Sequence, residues 1–245
     1  MHEKRVDVHR RILFIIFSVL VLSAGLAVWR SAALLPLNPA KKRARLSSLK
    51  TGDLLLWSTL NDMDCDVQKF ALNSAYTHVS IVFVDARGKV FTWEARPYRG
   101  VVLAPLQARI AESGTCHVRQ LLLMHGSGSS SSSSLGTVCP LKMESIIRVA
   151  RGQGYSGEFW RAVLNSWCAY YIHVPSSHLT TNKLKAPRFC SQLVADTYAR
   201  LGVVCYDHFD KPSCMALPAE FSELAEHLPL VNGYSLGPEL EVCPG

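Results

Sequence analysis

The chain has 245 residues, enough for one sizeable domain and a short appendage, and 49% hydrophobic with 18% charged residues describes a globular core with apolar sequence attached. The formal net charge of +7 sits largely on the flanks of one apolar run, which suits anionic headgroups and argues against a nucleic-acid-reading module. The eight cysteines, Cys65, Cys116, Cys139, Cys168, Cys190, Cys205, Cys214 and Cys243, are scattered without a CxxC or a metal-type Cys/His spacing, so no zinc site, other metal or cofactor is expected.

Residues 1–11 form a basic N-terminal segment with Lys4, Arg5, Arg10 and Arg11, followed by an uncharged apolar run over 12–29. As a helix that run measures about 27 Å, enough to cross a bilayer's hydrocarbon. It exceeds a usual signal-peptide core and no clean small-x-small site closes it, so it predicts a retained single-pass membrane anchor rather than a cleaved leader. Arg30, Lys41, Lys42, Arg43 and Arg45 on its far side balance the leading charges and leave the orientation open. Pro36, Pro39 and the basic cluster mark 30–48 as a linker, and the remaining residues, 49–245, as one folded domain.

The Lys50–Trp57 stretch, KTGDLLLW, predicts a Gly-Asp turn feeding an apolar strand, with Asp53 hydrogen-bonding its own backbone rather than acting in chemistry. A short helix is expected over 66–75. Two strand-like runs, 78–84 and 90–95, flank a polar five-residue loop containing Gly88, which predicts a hairpin. If Val84 faces Val90, Ser80 opposes Glu94 and His78 lies one diagonal away on the same face, within side-chain reach. The other face then carries Val79, Ile81, Phe83, Phe91, Trp93 and Ala95, an apolar set suited to a core.

A third strand over 100–103 and a helical turn follow. The Ser-rich tract 126–136 predicts a flexible surface insertion. Helices are expected over 141–151 and 158–173, the second with a core-like aromatic stripe, then a polar loop over 176–187. A final helix runs from about Cys190 to Leu201 and is closed by Gly202, with Leu193, Val194, Thr197, Tyr198 and Leu201 facing inward. His125, His173, His178 and His208 lack a carboxylate at useful spacing and read as surface or core histidines, and Asp196 and Asp207 as solvated.

Cys190 opening a helix, with His78 and Glu94 on one hairpin face, has the residue types that thiol catalysis needs. A free cysteine titrates near 8.5, and a helix start together with an imidazolium lowers that value. His78 is the candidate base and acid, Glu94 fixes its tautomer, and the Cys190 N–H is a candidate oxyanion donor.

Thr51-Gly52-Asp53-Leu54-Leu55, Thr77-His78-Val79-Ser80-Ile81-Val82, Trp93-Glu94-Ala95 and Phe189-Cys190-Ser191-Gln192-Leu193-Val194, in that order, resemble the permuted NlpC/P60 papain-like superfamily and its YiiX/YaeF-like cysteine hydrolases. The histidine strand precedes the cysteine helix, as in the permuted group. The resemblance spans roughly residues 49–228 and implies an α+β, circularly permuted papain-like fold, with an antiparallel sheet packed on the nucleophile helix; the single transmembrane helix expected in front of it is not part of the family's core pattern. It implies Cys190 as nucleophile, His78 as base and Glu94 as the third polar residue. The expected activity is membrane-anchored hydrolysis of an amide or ester acyl bond in a small-molecule, lipid-linked or peptide substrate. The alternatives are an acyltransferase or phospholipase-like enzyme and a catalytically silent binding protein. Oligomeric state is left open.

Overall fold

The hairpin forms in the expected register. Strand β3 (His78–Val84) and strand β4 (Val90–Arg96) pair Ile81 with Trp93, Val82 with Thr92, Phe83 with Phe91 and Val84 with Val90. Asp85 organises the loop by accepting the Arg87 and Lys89 N–H groups at 2.9 and 2.8 Å, an Asx turn that leaves the left-handed position to Gly88, φ +75°. The structure is a computed structural model that describes residues 42–59, 74–125, 132–136, 138–156, 188–205, 216–223 and 228–243, all within the compact unit Lys41–Gly245. The 12–29 anchor, most of the 66–75 helix, the 158–173 helix and the 176–187 loop lie outside the described residues.

The hairpin belongs to one sheet ordered β1-β8-β6-β2-β3-β4-β5, with β7 paired to β6 off that path. Its other strands are β1 (Arg43–Arg45), β2 (Leu54–Thr59), β5 (Gly100–Pro105), β6 (Gly114–His125), β7 (Ser132–Leu135) and β8 (Tyr234–Cys243). The α+β class holds, and the pairing is antiparallel apart from β1 on β8, which is parallel. Among the described residues three helices pack on the sheet: α1 (Leu106–Ser113), α2 (Pro140–Ala150) and α3 (Cys190–Leu201).

Two boundaries differ from the sequence reading. Residues 43–48 are not linker: Arg43, Ala44 and Arg45 pair with Glu241, Val242 and Cys243, and a 3-10 turn, Leu46–Ser48, leads into the domain. Three residues are too few to produce a strand periodicity, and the pairing exists only because β8 returns from the far end of the chain. The Ser-rich tract is not wholly a flexible insertion either. Strand β2 covers β6 only from Gly114 to Arg119, and β7 takes the same edge from Leu122 to His125. A twelve-residue strand would otherwise present unpaired amides there.

Asp53 does more than close its turn. It accepts the Lys50 N–H at 2.9 Å and, across the sheet, the Leu121 N–H at 3.0 Å, at the point where the β6–β8 ladder shifts register. Burial pushes its carboxyl up to about 6, against the lowering effect of those two amides.

Both faces of the sheet are buried. On one, Leu54, Leu56, Val79, Ile81, Phe83, Trp93 and Ala95 meet Leu193, Val194, Tyr198 and Leu201 of α3 and Met143, Ile146 and Ile147 of α2. On the other, Leu55, Trp57, Val82 and Val118 meet Leu106 and Ile110 of α1. The uninterrupted apolar run Leu54–Trp57 follows from this arrangement, since a strand covered on two sides has no polar face.

Candidate active site

Cys190 is the first residue of α3. Phe189 precedes it in extended conformation and makes no side-chain cap, so the first-turn amides meet no capping oxygen from that side chain. The helix is pinned at both ends. Ser191 Oγ donates to the Ala216 carbonyl at 2.7 Å, and Tyr198 Oη donates to the Gly52 carbonyl at 2.7 Å. Gly202 ends it at φ +77°, returning the chain through a left-handed position. All five residues expected to face inward are buried.

His78 is the first residue of β3, with a side chain 12% exposed, and its Nε2 lies 2.6 Å from Oε2 of the fully buried Glu94. The Cys190 thiol, 3% exposed, hydrogen-bonds the His78 ring and receives the backbone N–H groups of Val79 and Ser191. With Nε2 committed to Glu94, the other ring nitrogen is left for sulfur. The three side chains thus form one chain of contacts, sulfur to imidazole to carboxylate.

The thiol reaches the ring from the opposite side of the sheet to the carboxylate. Cys190 sits in the apolar layer with Val79, Ile81 and Trp93, whereas Glu94 points to the α1 side. His78, at the end of its strand, is where the two sides meet. The Glu94 side is closed by a residue that periodicity did not single out: Arg109 Nε on α1 donates to Oε1 and Oε2 of Glu94 at 3.0 and 3.2 Å. The guanidinium carbon lies 4.7 Å from the Trp57 ring centroid, a cation–π contact that is strong when desolvated. Trp57 Nε1 and Thr92 Oγ1 both donate to Ser80 Oγ at 2.8 Å, which fixes the indole beneath Arg109. The signal was present in the sequence: Arg109 falls on the buried stripe Leu106, Arg109, Ile110, Ser113, and a lone cation at core spacing needs a buried anion.

The electrostatics follow from this chain. Burial opposes charge on all three groups, but their mutual attraction exceeds it. For His78, the Cys190 thiolate and the ring's hydrogen bonds to Cys190 and Glu94 outweigh burial and push the ring up to about 9. For Cys190, burial is outweighed by the His78 charge and the amides of Val79 and Ser191, which hold the thiol below its ordinary value. Glu94 is likewise held down, against burial, by His78, Arg109 and Arg96. These shifts all favour the thiolate–imidazolium form of the pair, backed by a carboxylate.

Tyr155 is a second residue not singled out from the sequence, and this one carries no sequence signal. Its backbone pairs in parallel with Arg188, two residues before the thiol, and its phenol is raised first by burial and then by the Cys190 charge. Arg188, buried, anchors this bridge by donating from Nε to Asp196 at 2.5 Å and from Nη1 to Gln153 at 3.0 Å. Asp196 is therefore paired, not solvated, because Arg188 reaches it from outside the helix. Of the rival histidines, His125 ends β6 opposite Ser132, and His173, His178, His208 and Asp207 lie outside the described residues. Cys116, Cys139, Cys190, Cys205 and Cys243 are free thiols.

No protein-family model and no curated protein matches the chain. Among solved structures, the crystal structure of metalloprotein yiiX from Escherichia coli O157:H7, DUF1105, is similar at 18% identity and a TM-score of 0.43, over 80% of this chain and 97% of that one.

Proposed function

We propose that the chain is a cysteine hydrolase with a circularly permuted papain-like fold, cleaving an amide or ester acyl bond through an acyl-Cys190 intermediate. The observation that carries this reading is the placement of the His78 ring between a thiol and a carboxylate that Arg109 holds. A buried thiol in a purely structural role would sit high and protonated. That is the state of Cys116, which burial raises far above the ordinary thiol range.

The steps balance on these groups alone. The Cys190 thiolate adds to the acyl carbon and the carbonyl electrons move onto oxygen, where the first-turn Cys190 N–H is the proposed donor. As the tetrahedral adduct collapses, the imidazolium gives its proton to the departing amine or alkoxide, leaving a thioester and neutral His78. His78 then takes a proton from water as the hydroxyl adds to the thioester. On release of the acid the thiolate leaves and the proton returns to the pair. Glu94 carries no proton; it holds the ring and stabilises its positive form.

Residues 12–29 serve in this proposal as a single-pass anchor, placing the site beside lipid-linked or peptide substrates at a membrane. The test is turnover of a panel of para-nitrophenyl esters and peptide anilides by wild type, Cys190→Ala and His78→Ala, with intact-mass detection of acyl-enzyme. Turnover that needs both residues, with one acyl group per chain on Cys190, is expected; turnover unchanged in Cys190→Ala sinks the proposal. Adding an amine or alcohol acceptor separates hydrolysis from transfer.

A further inference from the structure

A cleft of about 550 Å³ lies between the turn at 97–100, which joins β4 to β5, and the turn at 152–155 after α2. Its two walls are locked together. The Val101 N–H donates to the Gln153 carbonyl and the Gly152 N–H to the Val101 carbonyl, both at 2.8 Å. At Gly100 an added Cβ would stand 2.1 Å from the Gln153 oxygen. The cleft is thus a rigid feature, and Tyr155, which lines it, is also the residue whose phenol feels the Cys190 charge.

Its rim carries two exposed side chains. Tyr98 is fully exposed and held at φ +62°, a conformation that an aromatic residue adopts rarely and at a cost, and such positions cluster at ligand clamps. Arg99 is 60% exposed. One carboxylate, Glu112, lies near two guanidiniums, and its short contact, 2.9 Å, goes to Arg96, with Arg99 at 3.7 Å. Among the described residues Arg99 therefore keeps positive charge that Glu112 offsets only in part, beside a cleft whose Tyr155 wall is bridged through its backbone to Arg188, two residues before the thiol.

We propose that this cleft anchors the substrate through an anionic group, a carboxylate or a phosphate, bound at Arg99, with the Tyr98 ring covering the adjoining apolar portion. The substrate's role as an acyl donor rests on the hydrolase reading, but its binding does not. Guanidinium is suited to either anion because both accept its paired N–H groups.

The experiment compares para-nitrophenyl butyrate, para-nitrophenyl hemiglutarate and the para-nitrophenyl ester of phosphonobutyrate on wild type, Arg99→Gln and Arg99→Lys. In parallel, glutarate and phosphonobutyrate are tested for protection of Cys190 against iodoacetamide. In Arg99→Gln, kcat/KM for one or both charged esters should fall about tenfold, mostly through KM, and stay within about twofold for the butyrate. Arg99→Lys should recover most of the loss, and the ester affected identifies the anion. Equal losses on neutral and charged esters, or no loss on either charged ester, overturn the subsite. If no ester is turned over but the anions protect Cys190 in wild type and not in Arg99→Gln, the subsite stands and the hydrolase reading falls. Cys190-dependent turnover with neither charge preference nor protection gives the reverse.

Discussion

At the scale of the residue, the site depends on a proton shared between a sulfur and a ring. His78 is raised to about 9, so its imidazolium persists through neutrality and is lost as pH rises through about 9. Cys190 is lowered, so its thiolate survives below the ordinary thiol range and is lost only on further acidification. The activity proposed here should therefore follow a bell in kcat/KM against pH with its alkaline limb near 9, both limbs belonging to the pair rather than to either residue. Glu94→Gln removes the carboxylate that helps hold the ring charged. The alkaline limb should move to lower pH, and kcat/KM at neutrality should fall by about 10²-fold; an unmoved limb would place the source of the ring's charge elsewhere. Ultraviolet titration of the thiolate reads the same shift without substrate. The register that brings His78 to Glu94 was legible from alternation alone, since an apolar set on one side fixes what stands on the other. The thiol's approach was not, because it comes past the strand end from the opposite layer.

At the scale of the element, α1 closes one side of the sheet with a cation. Arg109, 7% exposed, and Glu94, fully buried, form a desolvated pair, and removing one partner strands the other. Arg109→Met should lower unfolding free energy by about 3 kcal/mol, while the double change with Glu94→Gln should cost less than the sum of the single changes by about 1 kcal/mol or more. Strict additivity in denaturant unfolding would show that the pair is not coupled. The contact at Gly100 is steric and so more absolute: with φ +69° and a Cβ position 2.1 Å from a backbone oxygen, Gly100→Ala should cost about 3 kcal/mol. A thermal midpoint unchanged from wild type would mean that the two turns can part. Strands β3 and β4 and helices α2 and α3 announced themselves by period and turn chemistry. Strands β1, β6 and β8 did not, because they read neither as clean alternation nor as a bounded apolar run, and their partners lie far off in sequence.

At the scale of the whole molecule, the folded unit begins at Lys41, and the sheet takes its first strand at Arg43. The 12–29 run ends at Trp29, so residues 30–40 are the length of chain between the proposed anchor and the unit. Basic residues before and after the run, Arg10 and Arg11 on one side and Lys41, Lys42 and Arg43 on the other, could hold a protein to anionic lipid by charge alone, at about 1 kcal/mol each. Charge and insertion separate by extraction. Surface attraction is screened within a Debye length and is lost in strong salt, whereas an inserted apolar helix leaves only with detergent. The full-length chain should stay with membranes through molar salt and alkaline carbonate, should be released by detergent, and should retain its own amino terminus by intact mass. A chain starting at Lys41 should remain in the aqueous fraction with Cys190 as reactive as in the full protein, since among the described residues the contacts that activate the thiol come from β3, β4, α1 and α3. Release by salt alone would reduce the anchor to a basic patch, and a mass lacking residues through about 30 would identify the run as a leader.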